Sequence, residues 1–415
     1  MAKKNILKAL GPGLLWAGAA IGVSHIVQST SAGASFGFEL VWIIIIANIL
    51  KYPFFEFAPR YAASTGETLI DGYSRLGKWA VILYGIITIS TMFFLMTAVT
   101  VVTAGLFKNV FNSELSIVWW SSIILVVLAG IIALKKYSVI DSIVKFIIVL
   151  LAIATIIAVI AAFTKGYHPN LENIKHFDFK LDIAFLLALV GWMPTAIDVS
   201  VWHSVWTIAK RKESGYAPSL KESLLDFNIG YIGTVILSLG FLSLGALIMY
   251  GSGETFSSSG VKFAGQLINL FTESLGPGAY IVIAVAAIAT MLSTTLTCLD
   301  AYPRVLEPTT KLLFPKISNI KNTYATHTFW LSVVTIGSIL IFVFLLEDMK
   351  TMVTIATIIS FLVAPILGWL NLKVVTSKHV PKEARPNKFL IILSWVGLTF
   401  LTAFSIYFIL IKFVL

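Results

Sequence analysis

Charge is what this chain has least of. Of its 415 residues, 12% are charged and 58% are hydrophobic, and the mean hydropathy is +0.92. A soluble globular chain averages about 25% charged residues. Half that proportion leaves too few polar groups to cover a water-facing surface. Cysteine is almost missing. The single cysteine, Cys298, lies inside an apolar block, so an intramolecular disulfide is excluded, and no CxxC pair exists for metal or redox work. The chain also lacks a phosphate-binding loop, a nucleophile elbow and an HExxH helix. An ATP-driven or hydrolytic enzyme is therefore not expected, and neither is a cofactor. The short alternating segments of a membrane β-barrel are absent too.

Long apolar runs are what the chain does have. Ile117–Leu134 is one of them. In lipid its backbone groups must bond within the segment, so it is expected to be helical. The sequence predicts an all-α polytopic membrane protein with eleven spans, at roughly 11–36, 39–63, 79–107, 115–134, 138–163, 182–209, 226–250, 279–303, 324–346, 350–375 and 388–414. Connections carry Gly, Pro or polar residues, as at Thr65-Gly66-Glu67, His168-Pro169-Asn170 and Gly276-Pro277-Gly278. Two of them, roughly 164–181 and 251–278, are long enough for short surface helices. Met1–Leu15, with Lys3, Lys4 and Lys8, resembles the start of a signal peptide. It runs into the longer pattern of the first span, so it is expected to be retained.

The net charge of +10 invites a nucleic-acid reading, but its distribution argues otherwise. Of the 30 Lys and Arg residues, 21 fall in one alternate set of loops and 7 in the other; Lys51 and Lys145 lie inside spans. Basic residues concentrate on the cytoplasmic side of membrane proteins. The bias predicts a multi-pass protein of the cell (inner) membrane, N-terminus cytoplasmic and C-terminus external. The partner implied is the lipid bilayer, with no nucleic acid.

Two spans carry interruptions. The first reads Gly11-Pro12-Gly13 through Gly22-Val23-Ser24-His25-Ile26-Val27-Gln28, with small and polar residues at its middle. Gly22 lowers the cost of unwinding, and Ser24 and His25 can bond freed backbone groups. The sixth reads Gly191-Trp192-Met193-Pro194-Thr195-Ala196-Ile197-Asp198 and continues to His203-Ser204. Pro194 removes a backbone donor and clashes with the preceding turn. The first and sixth of eleven spans are corresponding positions in two inverted halves of five. Matched broken helices of this kind point to a transporter binding site at the bilayer midplane. The expected repeats are roughly 11–163 and 182–375, with an extra helix at 388–414, in one transmembrane domain.

These residues resemble the Nramp family of proton-coupled divalent-metal transporters. The match runs ungapped from Gly11-Pro12-Gly13 to Ala32-Gly33-Ala34-Ser35-Phe36-Gly37. Thr65-Gly66-Glu67 resembles the family's cytoplasmic Thr-Gly turn, His203-Ser204 its sixth-span His-Ser pair, and Ser293–Thr297 a polar stretch of its eighth span. The resemblance implies a LeuT-type fold, with alternating access between inverted five-helix repeats. It also marks this chain as divergent. The family's first break carries the metal-binding Asp-Pro-Gly-Asn, and here those positions are Gly22, Val23, Ser24 and His25. The sixth-span Met-Pro-His aligns either on Met193-Pro194, leaving three extra residues before His203, or on His203, losing the Met. The acids of the third-span proton route are replaced by Thr97, Ala98, Thr100 and Thr103.

The expected substrate-binding residues are Gly22, Ser24, His25, Gln28, Met193, Thr195 and Asp198, with His25 and Asp198 as metal ligands. Asp198 leads, because a carboxylate within a span is costly and usually faces a cavity or a partner. His203, Lys51, Glu56 and Asp300 are candidates for proton transfer or gating. Lys51 and Glu56, at i,i+5, are a poor helical pair, and each can find another partner. Asp300–Arg304 and Asp141–Lys145 read as surface ion pairs at i,i+4. The expected function is a secondary transporter moving a cation, in particular a divalent metal ion, with protons as a possible coupling ion. The alternatives are a carrier of a small organic solute that has lost metal transport, and a non-transporting membrane sensor.

Overall fold

The computed structural model describes residues 11–134, 137–166, 173–318, 323–345 and 349–413, and gives no side-chain detail for 137–148, 323–324 and 412–413. The predicted Lys3, Lys4 and Lys8 start, the His168-Pro169-Asn170 turn and the Asp141–Lys145 side chains lie outside this description. No strand occurs among the described residues. The first span is built from α1 (Pro12–Ala20), a π-helical turn (Ser24–Ser29) and α2 (Thr30–Phe36). After it come α3 (Val41–Thr65), the short α4 (Leu69–Leu76), α5 (Lys78–Val110), α6 (Ile117–Ala133) and α7 (Tyr137–Lys165). The sixth span is split into α8 (Ile183–Gly191) and α9 (Asp198–Ser214). Then follow α10 (Leu220–Ile248), α11 (Gly260–Leu275), α12 (Tyr280–Leu313), α13 (Pro315–Ser318), α14 (Thr323–Phe344), α15 (Met349–Val375) and α16 (Lys388–Phe413).

Among the described residues, seven helices are long and apolar enough to cross a membrane, and two shorter apolar helices lie at Ile117–Ala133 and Val149–Lys165. With the two split spans these account for the eleven expected. The amphipathic α11 occupies the connection expected to hold a surface helix. The described part of the 164–181 connection holds no comparable helix. The eighth span runs about ten residues beyond its predicted end, through Pro303 and Pro308. Membrane helices tolerate Pro where neighbouring groups take over the freed backbone partners.

Packing of the first span on the seventh decides where the centre lies. A Cβ on Gly33 would sit 1.9 Å from the Leu242 carbonyl oxygen, and one on Gly245 would sit 2.2 Å from that of Thr30. Only glycine on both helices permits this crossing, the small-residue contact that drives helix association in lipid. The N-terminus of α1 is tied to the same partner. The Asp226 carboxylate of α10 accepts from the Gly11 N–H at 3.0 Å and the Gly13 N–H at 2.6 Å. An acid at a helix N-terminus satisfies free donors and complements the helix dipole.

Candidate functional site

The break in the first span is narrow. Ile21 leaves the helix with ψ 82°, and helical geometry resumes at Val23. The carbonyls released at the end of α1 find side-chain donors. Ser24 Oγ donates to Ala20 O at 2.7 Å. Thr294 Oγ1, on α12, lies 3.0 Å from Gly18 O and 3.1 Å from Ile21 O. Gly22 permits that approach, since a Cβ there would lie 2.7 Å from Thr294 Cγ2.

In the sixth span, residues 192–197 separate α8 from α9. The last carbonyls of α8 point at an ammonium from another helix. Lys51 Nζ, on α3, donates to Val190 O at 3.0 Å, Gly191 O at 2.9 Å and Thr195 O at 3.1 Å. Lysine has three N–H donors, and all three are used. Asp198 opens α9. Its carboxylate accepts from its neighbour Val199 N–H at 3.2 Å and lies 3.5 Å from Thr91 Oγ1 on α5. Lys51 and Asp198 are both buried and within electrostatic reach of each other. A cation thus caps the negative end of one half-helix, and an anion the positive end of the other.

Both breaks border one cavity of about 20 Å³, lined by Ala20, Val23 and Ser24 of the first span, Trp192 and Thr195 of the sixth, and Thr294 and Cys298 of the eighth, among others. Such a volume holds about one water. No carboxylate lines it, and its predicted contributors Ser24 and Thr195 are buried. The centre is occluded.

The other predicted residues are dispersed around this centre. His25 turns to the seventh span: Nδ1 meets Ser24 Oγ at 2.7 Å, and Nε2 meets Thr234 O at 2.9 Å. Both ring nitrogens are engaged, so His25 has none left to share a metal with Asp198. Gln28 and Met193 are buried but do not line the cavity. Among the described residues, no group of three or more His, Cys, Asp or Glu is arranged to hold a metal ion. His203 packs its ring edge-on to Phe227. Its Nδ1 lies 3.3 Å from Thr207 Oγ1, and its buried Nε2 has no hydrogen-bond partner.

Lys51 and Glu56 are not paired with each other. Glu56 instead receives Arg60, whose Nε donates to Oε2 at 2.8 Å, while Arg60 Nη1 reaches Ala384 O at 2.8 Å. That network anchors α3 to the segment before α16. The expectation of a surface Asp300–Arg304 pair is corrected. Asp300 is buried while Arg304 is partly exposed, because α12 continues past the predicted end of its span and keeps Asp300 inside the bundle. The sequence marked the Ser293–Thr297 stretch without giving Thr294 its role. It gave no sign of Asp226 and Thr91, which act across tertiary contacts that leave no local pattern, or of Cys298, which lines the cavity.

Split first and sixth spans around an occluded midpoint define a membrane transporter of LeuT-type fold. Solved structures agree on the fold. A manganese transporter from Eremococcus coleocola superimposes with TM-score 0.70 at 14% identity, over 98% of this chain and 87% of its own. MhsT in complex with L-phenylalanine gives 0.61 at 16% identity, over 97% and 98%. Mhp1, of the nucleobase-cation-symport-1 family, gives 0.59 at 14%, over 97% and 93%. The family model for natural resistance-associated macrophage protein-like (Nramp) proteins matches residues 13–411. The chain belongs to the Nramp family. An uncharacterized protein of Pasteurella multocida (strain Pm70) is 36% identical over 414 residues, 97% of this chain and 92% of that relative.

Proposed function

We propose that this protein carries a cation, a divalent metal ion, across the cell membrane by alternating access, with its N-terminus in the cytoplasm and its C-terminus outside. The observation that carries this reading is Asp198, a buried carboxylate at the split of the sixth span, in a chain of the Nramp family. A manganese transporter among the structural neighbours supports the same cargo class. With the Asp-Pro-Gly-Asn positions replaced, the site offers few ligands, and neither thioether nor imidazole is turned to the cavity. Beside the lone Cys298 thiol, the lining offers only hydroxyls and main-chain groups as ligands. This suits a hard ion that keeps part of its water shell, as Mg²⁺ does, better than a borderline ion wanting several nitrogen or sulfur ligands. A hydrated ion exceeds a 20 Å³ cavity, so the cargo enters as the repeats, roughly 11–163 and 182–375, rock apart. Protons are the coupling ion in this scheme, exchanged at Asp198 and His203.

One observation favours a second reading, a carrier of a small organic solute. The carbonyls freed at the sixth-span break already hold the Lys51 ammonium, and no carboxylate lines the cavity. A resident positive charge there opposes a dehydrated cation and favours a carboxylate-bearing solute. A melting screen of the purified protein over Mg²⁺, Mn²⁺, amino acids and small organic acids separates the two. The cation reading expects stabilisation by a divalent ion, followed by uptake of that ion into proteoliposomes. Stabilisation and uptake of an organic acid alone would overturn it in favour of the second reading.

A further inference from the structure

Lys51 is more than a buried lysine with a partner. Its Nζ sits at 2.9–3.1 Å from three main-chain carbonyls, Val190, Gly191 and Thr195. Two belong to the last turn of α8 and the third to the unwound stretch beyond it. Converging carbonyls at the C-terminal end of a half-helix are how transporters of this architecture coordinate a monovalent ion. The half-helix supplies partial negative charge, and the Phe55 ring lies 6.0 Å from Nζ. The oxygen distances are too long for Mg²⁺ at about 2.0–2.1 Å or Ca²⁺ at about 2.3–2.6 Å. They fit an ammonium or another large monovalent ion.

We infer that the Val190, Gly191 and Thr195 carbonyls form a monovalent-cation site whose permanent occupant is the side chain of Lys51, a tethered cation in place of a mobile one. Such an occupant holds α8 and the unwound stretch together without drawing an ion from solution, so this position places no demand for external Na⁺ or K⁺ on the protein. The inference does not depend on what the cargo is, and it is tested with no cargo present.

Lys51→Ala removes the tethered ammonium and opens its space, leaving the carbonyls free to take a mobile ion. Lys51→Met fills the space without charge. The readout is the melting temperature in detergent, in choline buffer against added ammonium, methylammonium, K⁺, Na⁺ or Li⁺. Wild type is expected to be indifferent to all of them. Lys51→Ala is expected to melt lower in choline and to regain several degrees with ammonium, methylammonium or K⁺, but not with choline, which is too large. Lys51→Met is expected to stay low in every salt. A folded Lys51→Ala protein that no cation stabilises would overturn the inference, as would Lys51→Met matching wild type in choline. If Lys51→Ala cannot be recovered, recovery of Lys51→Arg without Lys51→Met supports the site, and the reverse overturns it.

Discussion

Gly22→Ala asks whether shape, as well as hydrogen bonding, holds the break in the first span. The new Cβ would lie 2.7 Å from Thr294 Cγ2, 2.9 Å from Oγ1 and 3.2 Å from Cβ. Asp226 pins α1 at its other end, so the Thr294 side chain must move. Overpacking of this kind costs about 1–3 kcal/mol. Moving Thr294 also loosens its hydroxyl, which has one proton for three carbonyls, those of Gly18, Ile21 and Thr290. One shared bond is worth about 1 kcal/mol, and about 0.6 on average between membrane helices. Gly22→Ala is therefore expected to cost about 2–4 kcal/mol, and Thr294→Ala, which removes the hydroxyl and a methyl group, about 1–2. In the double variant the two closest contacts vanish and the 3.2 Å approach to Cβ remains, which a shift of a few tenths of an ångström relieves. The double variant should then fall short of the sum of the singles by about 1–2 kcal/mol. Equilibrium unfolding in mixed SDS micelles gives all four corners of the cycle. Costs that add within about 0.5 kcal/mol would refute the steric argument.

Three more expectations concern charged groups. If Asp198 carries charge through the transport cycle, Asp198→Asn leaves a folded protein that has lost uptake or its pH dependence. A purely structural role instead predicts a loss of about 1–3 kcal/mol from the disturbed bonds of this buried carboxylate to the Val199 N–H and the Thr91 hydroxyl, so melting and liposome uptake are measured on the same preparation. Asp226→Asn keeps one acceptor oxygen and replaces the other by an NH2 donor. It should therefore weaken one of the two charge-assisted bonds to Gly11 and Gly13 and abolish the other, at a cost of about 1.5–3 kcal/mol, with faster amide exchange confined to the start of α1. Glu67, in the connection between α3 and α4, is held below the ordinary glutamate value mainly by its hydrogen bond from Arg75. Its stabilisation is present above the unfolded-state value, near 4.3, and is lost as pH falls through the lower folded-state value. Glu67→Gln should therefore lower the melting temperature slightly at neutral pH and leave it nearly unchanged at low pH, so that the acid side of the profile becomes flatter; an unaltered slope on the acid side would contradict this.

Legibility in the sequence tracked how local each signal was. Pro194 and the Gly22–His25 cluster marked the breaks because a missing donor and a missing Cβ act within a turn or two of their own position. Most helix ends were read to within a few residues, but α9 runs five residues past the predicted 209 to Ser214 and α10 starts six residues before the predicted 226, at Leu220, because charged residues ended the apolar run without ending the helix. At α12 the reading fell short, since Pro303 and Pro308 look like stops while the surrounding helices carry the chain on. The i,i+4 pair of Asp300 and Arg304 was visible, but its depth was not. Lys51 was recognised as unusual, and the i,i+5 spacing correctly discouraged pairing it with Glu56. No rule of spacing could then supply carbonyls some 140 residues away.

The sequence alone determined the medium, the number of spans and the positions of the two breaks. Hydropathy, glycine and proline act through solvation and backbone geometry that each segment carries with it. Only the tertiary structure decided how the breaks are satisfied: Lys51 in the carbonyls of α8, Thr294 over those of α1, and Asp226 under its N-terminus. The physical reason is that a freed backbone group must find a partner inside the bundle, and the partner is whichever side chain the crossing helices bring within 3 Å. The closeness of the first and seventh spans, set by glycine meeting backbone on both helices, fixes that arrangement. The same packing turned His25 towards Thr234 and away from Asp198, a choice that no reading of the first span by itself contains.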